Sequence, residues 1–115
     1  MMTNNKIIKN AKEVLHIELA GIKKLSKTID KNFVKAVKKI SQIKGRVIIT
    51  GVGKSGHIAS KLSSTMSSTG TPSQYSDPTS MSHGDLGIIT KKDILIIISN
   101  SGKSSELFNL LDYAK

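Results

Sequence analysis

The sequence predicts an α/β fold in which helices flank a parallel β-sheet. Two predicted strands, residues 46–50 with the aliphatic run Val47-Ile-Ile49 and residues 94–98, each lead into glycine and serine and then into a helical pattern. Runs without polar alternation are typical of parallel strands that are buried on both faces. Strands that alternate with helices indicate a doubly wound sheet. Two strong strands and one weak strand predict an incomplete sheet with an open edge.

Two helices are predicted ahead of the sheet. Apolar side chains recur at spacings of three and four over residues 5–27, which is the period of an amphipathic helix. These side chains are Ile8, Ala11, Leu15, Leu19, Ile22 and Leu25. Asp30 is expected to cap a second helix, which Lys44-Gly45 ends. Its apolar positions are Phe33, Val34, Val37 and Ile40.

A third helix is predicted over residues 54–68, directly after the first strand. We expect its inward-facing side chains to be Ile58, Leu62 and Met66. Gly70 suits the position after the helix end, because glycine adopts the left-handed conformation that such positions need.

The second half of the chain is less regular. Residues 73–76 read as a brief strand, and residues 77–92 as a loop with a helical turn near 84–89. Residues 94–98 form the clearest strand, because five consecutive residues are Ile or Leu. A last helix is expected to start near Lys103.

Length and composition favour one small domain with an aliphatic core. The chain has 115 residues, two Phe, two Tyr and no Trp. It has no Cys, which excludes disulfides, thiolate catalysis and zinc–thiolate sites. No apolar run approaches the length of a membrane span, and the N-terminus lacks an apolar signal core. We therefore expect a cytoplasmic protein that has no membrane partner.

The positive charge of the chain lies mostly in its first third. The formal net charge is +10, yet residues 1–46 hold 12 of the 18 Lys and Arg residues and only 3 acidic residues. The lysines fall on the polar faces of the predicted helices. No helix-turn-helix signature or aromatic platform accompanies them. A solvated lysine face is the preferred interpretation, and no nucleic-acid partner is expected.

The segment Gly51-Val-Gly-Lys-Ser-Gly56 matches more than one phosphate-binding pattern. A nucleotide P-loop would need glycine at Ile48, so that interpretation fails. The dinucleotide fingerprint G-x-G-x-x-G does match, and Asp77 follows at a suitable distance. In a sugar-phosphate loop, by contrast, Ser55 and nearby amides would hold phosphate while Lys54 faces the substrate. We favour the sugar-phosphate loop and keep the dinucleotide site as an alternative.

A second small-residue loop follows the strand at residues 94–98. Ser99-Asn-Ser-Gly102, with Ser104, places small hydrogen-bonding groups at the carboxyl end of a strand, where anions bind. Glu106 follows on the first turns of the next helix. It either compensates the helix dipole or supplies a carboxylate that moves a proton. Two such loops in a β-α-β pattern predict one phosphate held between them.

Of the three histidines, His83 is the candidate for chemistry. It lies in the loop His83-Gly-Asp-Leu-Gly87, beside glycines and after Pro78, and is therefore available to a ligand. His57 is interpreted as structural, and His16 as facing solvent. Asp85 is expected to stabilise a turn. No histidine and carboxylate positions have the spacing of metal ligands, so no metal is expected.

These motifs together resemble those of the SIS (sugar isomerase) domain, and within it the arabinose-5-phosphate isomerase family. The segments that carry the resemblance are Gly51-Val-Gly-Lys-Ser-Gly-His57, Ser68-Thr-Gly-Thr-Pro72, His83-Gly-Asp-Leu-Gly87 and Ser99-Asn-Ser-Gly102. The resemblance implies a flavodoxin-like parallel sheet flanked by helices, with two leading N-terminal helices. Because the family's domain is longer, we expect residues 1–115 to be the N-terminal portion of a single SIS domain, without CBS domains.

The resemblance also implies a reaction and a set of site residues. The reaction is the interconversion of D-arabinose 5-phosphate and D-ribulose 5-phosphate, a step toward the octulosonate sugar of lipopolysaccharide, with no cofactor. Lys54, His83 and Glu106 would line the reacting end. The phosphate would be held by Ser55, Ser99, Asn100, Ser101 and Ser104.

Two other functions stay open on the sequence. A non-catalytic phosphosugar-binding SIS module would keep the serine loop but would not need Lys54, His83 and Glu106. An NAD-binding Rossmann fragment would bind no sugar phosphate. In the favoured interpretation the partners are a sugar phosphate and further copies of the chain, as a dimer or tetramer, because the sheet edge and the apolar helix faces need burial.

Overall fold

The computed structural model describes residues 3–115 and divides the chain into two units, one ending at Lys38 and the other comprising Lys39–Lys115. The first unit holds α1 (Asn4–Ser26) and most of α2 (Lys31–Ser41). Asp30 caps α2 as predicted, since its Oδ1 accepts hydrogen bonds from the amides of Asn32 and Phe33 at 2.8 and 3.2 Å. Neither helix has a buried residue.

The second unit alternates strands and helices. Its elements are β1 (Val47–Gly51), α3 (Lys54–Ser68), β2 (Ser73–Tyr75), α4 (Pro78–Ser82), a 3₁₀ turn (Asp85–Ile88), β3 (Ile94–Ile98) and α5 (Ser105–Tyr113). The predicted helix at 54–68 and the predicted strand at 94–98 are confirmed to the residue. In the described residues no helix combines the length and the apolar character needed to cross a bilayer.

The three strands are parallel and have the order β2-β1-β3. Val47 on the central strand pairs with Ser73 on one side and with Ile94 on the other. Every residue of β1 is buried, as the unbroken aliphatic run predicted. β2 and β3 each have one neighbour, so both are edge strands of this sheet.

The two faces of the sheet are covered by different helices. Val47 and Ile49 pack with Ala59 of α3 on one face. On the other face, Ile48 packs in a cluster with α4 and α5. That cluster is completed by Met81, Leu107 and Leu110. The sheet is therefore doubly wound, and the helices that follow β1 and β3 leave on opposite faces.

The predicted inward face of α3 is wrong for two of its three residues. Ile58 is 58% exposed and Leu62 is 37% exposed, while Met66 is half-buried against the sheet. The residues of α3 that are buried are Gly56, Ala59 and Ser63. Small side chains at these positions let the helix axis lie close to β1, which is why the larger residues point away.

A short helix also lies in the segment predicted as loop. The Oδ1 of Asp77 accepts hydrogen bonds from the amides of Thr79 and Ser80, each at 3.0 Å, and so caps α4. Pro78 occupies the first helical position, where its missing N–H costs nothing. The last helix begins at Ser105, two residues after the predicted start.

Candidate functional site

The end of β1 approaches both the end of β3 and the first turn of α3 closely because Gly51 has no side chain. A Cβ at Gly51 would lie 2.8 Å from the carbonyl oxygen of Ile98 and 2.9 Å from that of Ser55. Such distances are shorter than Cβ atoms tolerate, so only glycine fits here. Gly53 has φ = 59°, a positive value that side chains with a Cβ disfavour, and the chain turns into α3 there. These two glycines bring the start of α3 next to the neighbouring strand.

The loop after β3 is shaped by its own serines. The Oγ of Ser99 accepts a hydrogen bond from the amide of Gly102 at 2.9 Å, and the Oγ of Ser101 accepts one from the amide of Lys103 at 3.2 Å. Gly102 has φ = 64°, which suits the turn. Ser104 occupies the N-cap position of α5, but its side chain makes no capping hydrogen bond. Its hydroxyl is therefore available to a ligand.

The two loops together line one pocket of about 290 Å³ at the carboxyl edge of the sheet, here called the serine-rich pocket. It contains all five residues that were predicted to hold phosphate: Ser55, Ser99, Asn100, Ser101 and Ser104. Val52, Ile98 and Leu107 complete the lining. None of these three residues was predicted to contact a ligand, although Val52 lies in the first loop motif and Ile98 ends the predicted strand at 94–98.

The serine-rich pocket has the properties of an anion site. It lies between the N-termini of α3 and α5, whose first amides carry partial positive charge. Hydroxyl and amide side chains line it, and no acidic residue of the described chain does. The pocket also lies where the strand order reverses, since the chain passes from β2 across β1 to β3. Ligands of doubly wound sheets bind at this kind of position.

The three residues predicted to carry the chemistry lie outside the lining of the serine-rich pocket. Lys54 is exposed and is the first residue of α3. His83 is exposed and ends α4. Glu106 is half-buried on the first turn of α5, where its Oε2 lies 3.4 Å from the Oγ of Ser105. No hydrogen bond or ion pair of the described chain joins these three side chains to one another.

The segment that carries His83 is held by Arg46, the residue before β1, and by the cap of α4. The guanidinium of Arg46 donates hydrogen bonds to the carbonyl oxygen of Ile88 at 3.0 Å and to the Oε1 of Gln74 at 2.6 Å. Asp77 caps α4 at the other end of the segment. This role of Arg46 could not be predicted from the sequence, because its partners lie 28 and 42 residues away along the chain.

Tyr75 is a further residue near the first loop that sequence analysis missed. Its hydroxyl oxygen would lie 3.0 Å from a Cβ at Gly56, so it packs against the first turn of α3. Burial, and then the nearby charge of Asp77, raise the pKa of the Tyr75 hydroxyl above its ordinary value. The Tyr75 hydroxyl therefore stays uncharged at neutral pH, and the side chain packs beside the first loop.

The dinucleotide interpretation loses support from the position of Asp77. That interpretation uses the acid after the second strand to bind a ribose hydroxyl. Here Asp77 caps α4 through two backbone amides instead. Within residues 3–115, no three His, Cys, Asp or Glu side chains are grouped as a metal ion would require.

Comparison with known proteins agrees with the resemblance seen in the sequence. Arabinose 5-phosphate isomerase KdsD of Francisella tularensis subsp. tularensis is 50% identical over 111 residues, which are 94% of this chain and 34% of that protein. Arabinose 5-phosphate isomerase KdsD of Escherichia coli K12 is 47% identical over 104 residues, which are 90% of this chain and 32% of that protein. The chain thus spans about one third of the length of these relatives.

A solved structure confirms the fold. The structure of an Escherichia coli CFT073 protein in complex with arabinose 5-phosphate superposes with a TM-score of 0.90 at 40% identity, covering 96% of this chain and 59% of that one. The SIS domain family matches residues 39–115, which hold the three-stranded sheet and both loops. The resemblance to the SIS domain and the α/β fold class predicted from the sequence are therefore both confirmed, and the chain belongs to the SIS domain family.

Proposed function

We propose that this chain carries the phosphate-binding part of a sugar-phosphate isomerase site that interconverts D-arabinose 5-phosphate and D-ribulose 5-phosphate. The observation that carries the proposal is the serine-rich pocket, in which hydrogen-bonding side chains from two loops face one cavity. The names of two relatives, both arabinose 5-phosphate isomerases, support the choice of sugar. In this proposal residues 1–115 belong to a single SIS domain.

The proposed reaction moves one proton between neighbouring carbons. After the sugar ring opens, a base removes the proton from C2 of the aldose, and O1 gains a proton as the enediol forms. Return of a proton to C1, with loss of the proton from O2, gives the ketose. Such a reaction needs a base, an acid at the carbonyl oxygen and fixed positive charge near the developing oxyanion.

Three residues fit these roles in the proposal. Glu106 is the proton-transfer group, because its half-buried carboxylate follows the serine loop on the first turn of α5. Lys54 supplies the positive charge, because it adjoins the pocket residue Ser55. His83 assists ring opening or binds a hydroxyl.

A second candidate function is a phosphosugar-binding module without catalysis. The specific observation in its favour is that the five phosphate residues share one pocket, whereas Lys54, His83 and Glu106 do not line it. In that case arabinose 5-phosphate would bind without being converted.

The experiment that separates these functions is ³¹P NMR of the chain mixed with arabinose 5-phosphate. Isomerase function predicts growth of a ribulose 5-phosphate signal that Glu106→Gln abolishes while binding survives. A binding module predicts a shifted arabinose 5-phosphate signal and no product. NAD serves as the control ligand, and binding of NAD alone would favour the dinucleotide interpretation.

Ser104→Ala and Ser105→Ala provide a matched pair for the binding step. The two serines are neighbours at the start of α5, but only Ser104 lines the pocket. The side chain of Ser104 makes no capping hydrogen bond, and the Oγ of Ser105 donates one hydrogen bond, at 3.4 Å, to the Oε2 of Glu106. We expect Ser104→Ala to weaken sugar-phosphate binding about tenfold to a hundredfold, as loss of a hydrogen bond to a charged group does, and Ser105→Ala to leave it unchanged.

We also propose that the chain assembles as a homo-oligomer, a dimer or tetramer. The apolar residues of α1 and α2 are largely exposed, with Leu15 at 63% and Phe33 at 53%. Exposed apolar faces of this extent favour association. Light scattering after size-exclusion chromatography measures the mass directly, and a monomer at micromolar concentration would contradict this proposal.

A further inference from the structure

Lys103 belongs to the loop that follows β3 and lines the serine-rich pocket, although Lys103 is not itself one of the lining residues. It stands between Ser101 and Ser104, both of which line the pocket. Its amide donates a hydrogen bond to the Oγ of Ser101 at 3.2 Å, directly after the left-handed turn at Gly102. This hydrogen bond ties the backbone of Lys103 to the pocket residue Ser101, and the Lys103 side chain is exposed. An ammonium group on a flexible four-carbon stem can reach a ligand beside its own backbone.

No acidic group among the described residues neutralises the charge of Lys103. The ion pair found in the described part of the chain joins Lys115 to Asp112. Glu106 lies three residues further on, but its carboxylate is not within ion-pair distance of Lys103. Lys54, which adjoins the pocket residue Ser55, has no ion pair within residues 3–115 either. Two uncompensated ammonium groups therefore belong to the segments that form the pocket.

We infer that Lys103 supplies an ammonium charge to the serine-rich pocket and makes the pocket select the doubly charged form of a phosphate monoester over the singly charged form. This inference rests on the proposed sugar-phosphate function. Coulomb energy scales with the product of the charges, so one ammonium group attracts a dianion about twice as strongly as a monoanion. The second pKa of a phosphate monoester is about 6, which lets pH set the charge of the ligand.

Lys92 is a matched control for Lys103. It is also an exposed lysine in a turn, and its amide also donates to a hydroxyl two residues earlier, the Oγ1 of Thr90, at 3.3 Å. Lys92 precedes β3, whereas Lys103 follows it, so the two lysines lie at opposite ends of the same strand. Lys92→Gln removes the same charge from the chain without touching the pocket.

The test is the dissociation constant of arabinose 5-phosphate for the wild type, Lys103→Gln and Lys92→Gln. Titration calorimetry is carried out at pH 5 and pH 7.5, and at low and high salt. We expect Lys103→Gln to weaken binding about threefold to tenfold at pH 7.5, to weaken it less at pH 5, and to reduce the salt dependence. Lys92→Gln should stay within about twofold of the wild type at both pH values.

The outcomes distinguish this inference from the proposed function. If the wild type binds arabinose 5-phosphate but Lys103→Gln behaves like Lys92→Gln, the role of Lys103 is overturned and the proposed function stands. Equal weakening of Lys103→Gln at both pH values also overturns the charge selectivity. Absence of wild-type binding, with a folded chain by circular dichroism, overturns the proposed function and this inference together.

Discussion

The amide of Arg46 donates a 2.7 Å hydrogen bond to the Oδ1 of Asp93, which ties the entrance of β1 to the turn that precedes β3. The Oδ2 of the same carboxylate accepts hydrogen bonds from the amide and the hydroxyl of Thr90 at 2.8 and 2.9 Å. Burial alone would raise the pKa of Asp93, but these hydrogen bonds and the charge of Arg46 hold the pKa below its ordinary value.

The first prediction concerns acid stability. Because the folded-state pKa of Asp93 is lower than the unfolded-state value, its stabilising contribution is complete well above the ordinary value of 3.8 and is lost as the pH falls through the folded-state pKa. Asp93→Asn should therefore lower the free energy of unfolding by about 1–2 kcal/mol at pH 7 and flatten its loss below pH 5. Urea unfolding from pH 7 to pH 3 measures both effects.

Asp112→Asn is the control for the loss of stability between pH 5 and pH 3. Its ion pair with Lys115 is exposed, with 75% and 78% of the two side chains accessible, and such pairs contribute little. The Asp112→Asn variant should keep the wild-type pH profile. If the free energy of unfolding of Asp93→Asn fell as steeply between pH 5 and pH 3 as that of the wild type, other groups would be responsible for the acid sensitivity.

The second prediction concerns the guanidinium of Arg46. Arg46→Lys keeps the positive charge, but a single ammonium group cannot make both hydrogen bonds of the guanidinium, to the side chain of Gln74 and to the carbonyl oxygen of Ile88. We expect faster amide hydrogen exchange in the 3₁₀ turn at Asp85–Ile88, while the central strand β1 stays protected. Exchange mass spectrometry on peptides from both regions checks this, and uniform loss of protection would show global rather than local destabilisation.

The third prediction concerns the buried hydroxyl of Thr50. The residue is fully buried, and its Oγ1 has no hydrogen-bond partner among residues 3–115. An unsatisfied buried hydroxyl costs free energy, and valine has nearly the same shape without it. Thr50→Val should raise the free energy of unfolding by about 1 kcal/mol, as read from the urea midpoint.

Thr50→Ser is the companion variant. It keeps the hydroxyl and deletes a buried methyl group, so we expect it to lower the free energy of unfolding by about 1 kcal/mol. If Thr50→Val were the less stable of the two variants, the hydroxyl of Thr50 would have to make a favourable interaction in solution.

Much of the second unit followed from local signals in the sequence. The strand at Ile94–Ile98 is an unbroken aliphatic run, and α3 begins directly after the glycines that turn the chain. The serine-rich pocket was predictable for a related reason. Parallel strands end at the same edge of a sheet, so the loops that follow neighbouring strands must meet.

The predictions that failed concern features that depend on tertiary contacts. Ile58 and Leu62 were expected to face the core because they are large and apolar, yet the close packing of α3 on β1 selects Gly56 and Ala59 instead. α4 is only five residues long, too short to show a helical period, and its signal was the capping residue Asp77 with the proline after it. The contacts of Arg46 and Asp93 join segments that no local pattern relates.

The last prediction tests the close approach that forms the serine-rich pocket. In Gly51→Ala, the new Cβ meets the backbone carbonyl oxygens of Ile98 and Ser55, which cannot rotate away. The first loop must then move from β3, which costs about 1–3 kcal/mol and widens the pocket. We expect a lower unfolding midpoint and weaker sugar-phosphate binding together, both measured on the same protein preparation by urea unfolding and calorimetry.

Gly21→Ala is the matched glycine control. A Cβ at Gly21 meets no atom within 4 Å, and the residue lies inside α1, where alanine is the better helix former. This variant should gain about 0.5–1 kcal/mol of stability and bind the ligand as the wild type does. If Gly51→Ala bound sugar phosphate as tightly as Gly21→Ala, binding at the serine-rich pocket would not depend on the close approach of Gly51 to Ile98.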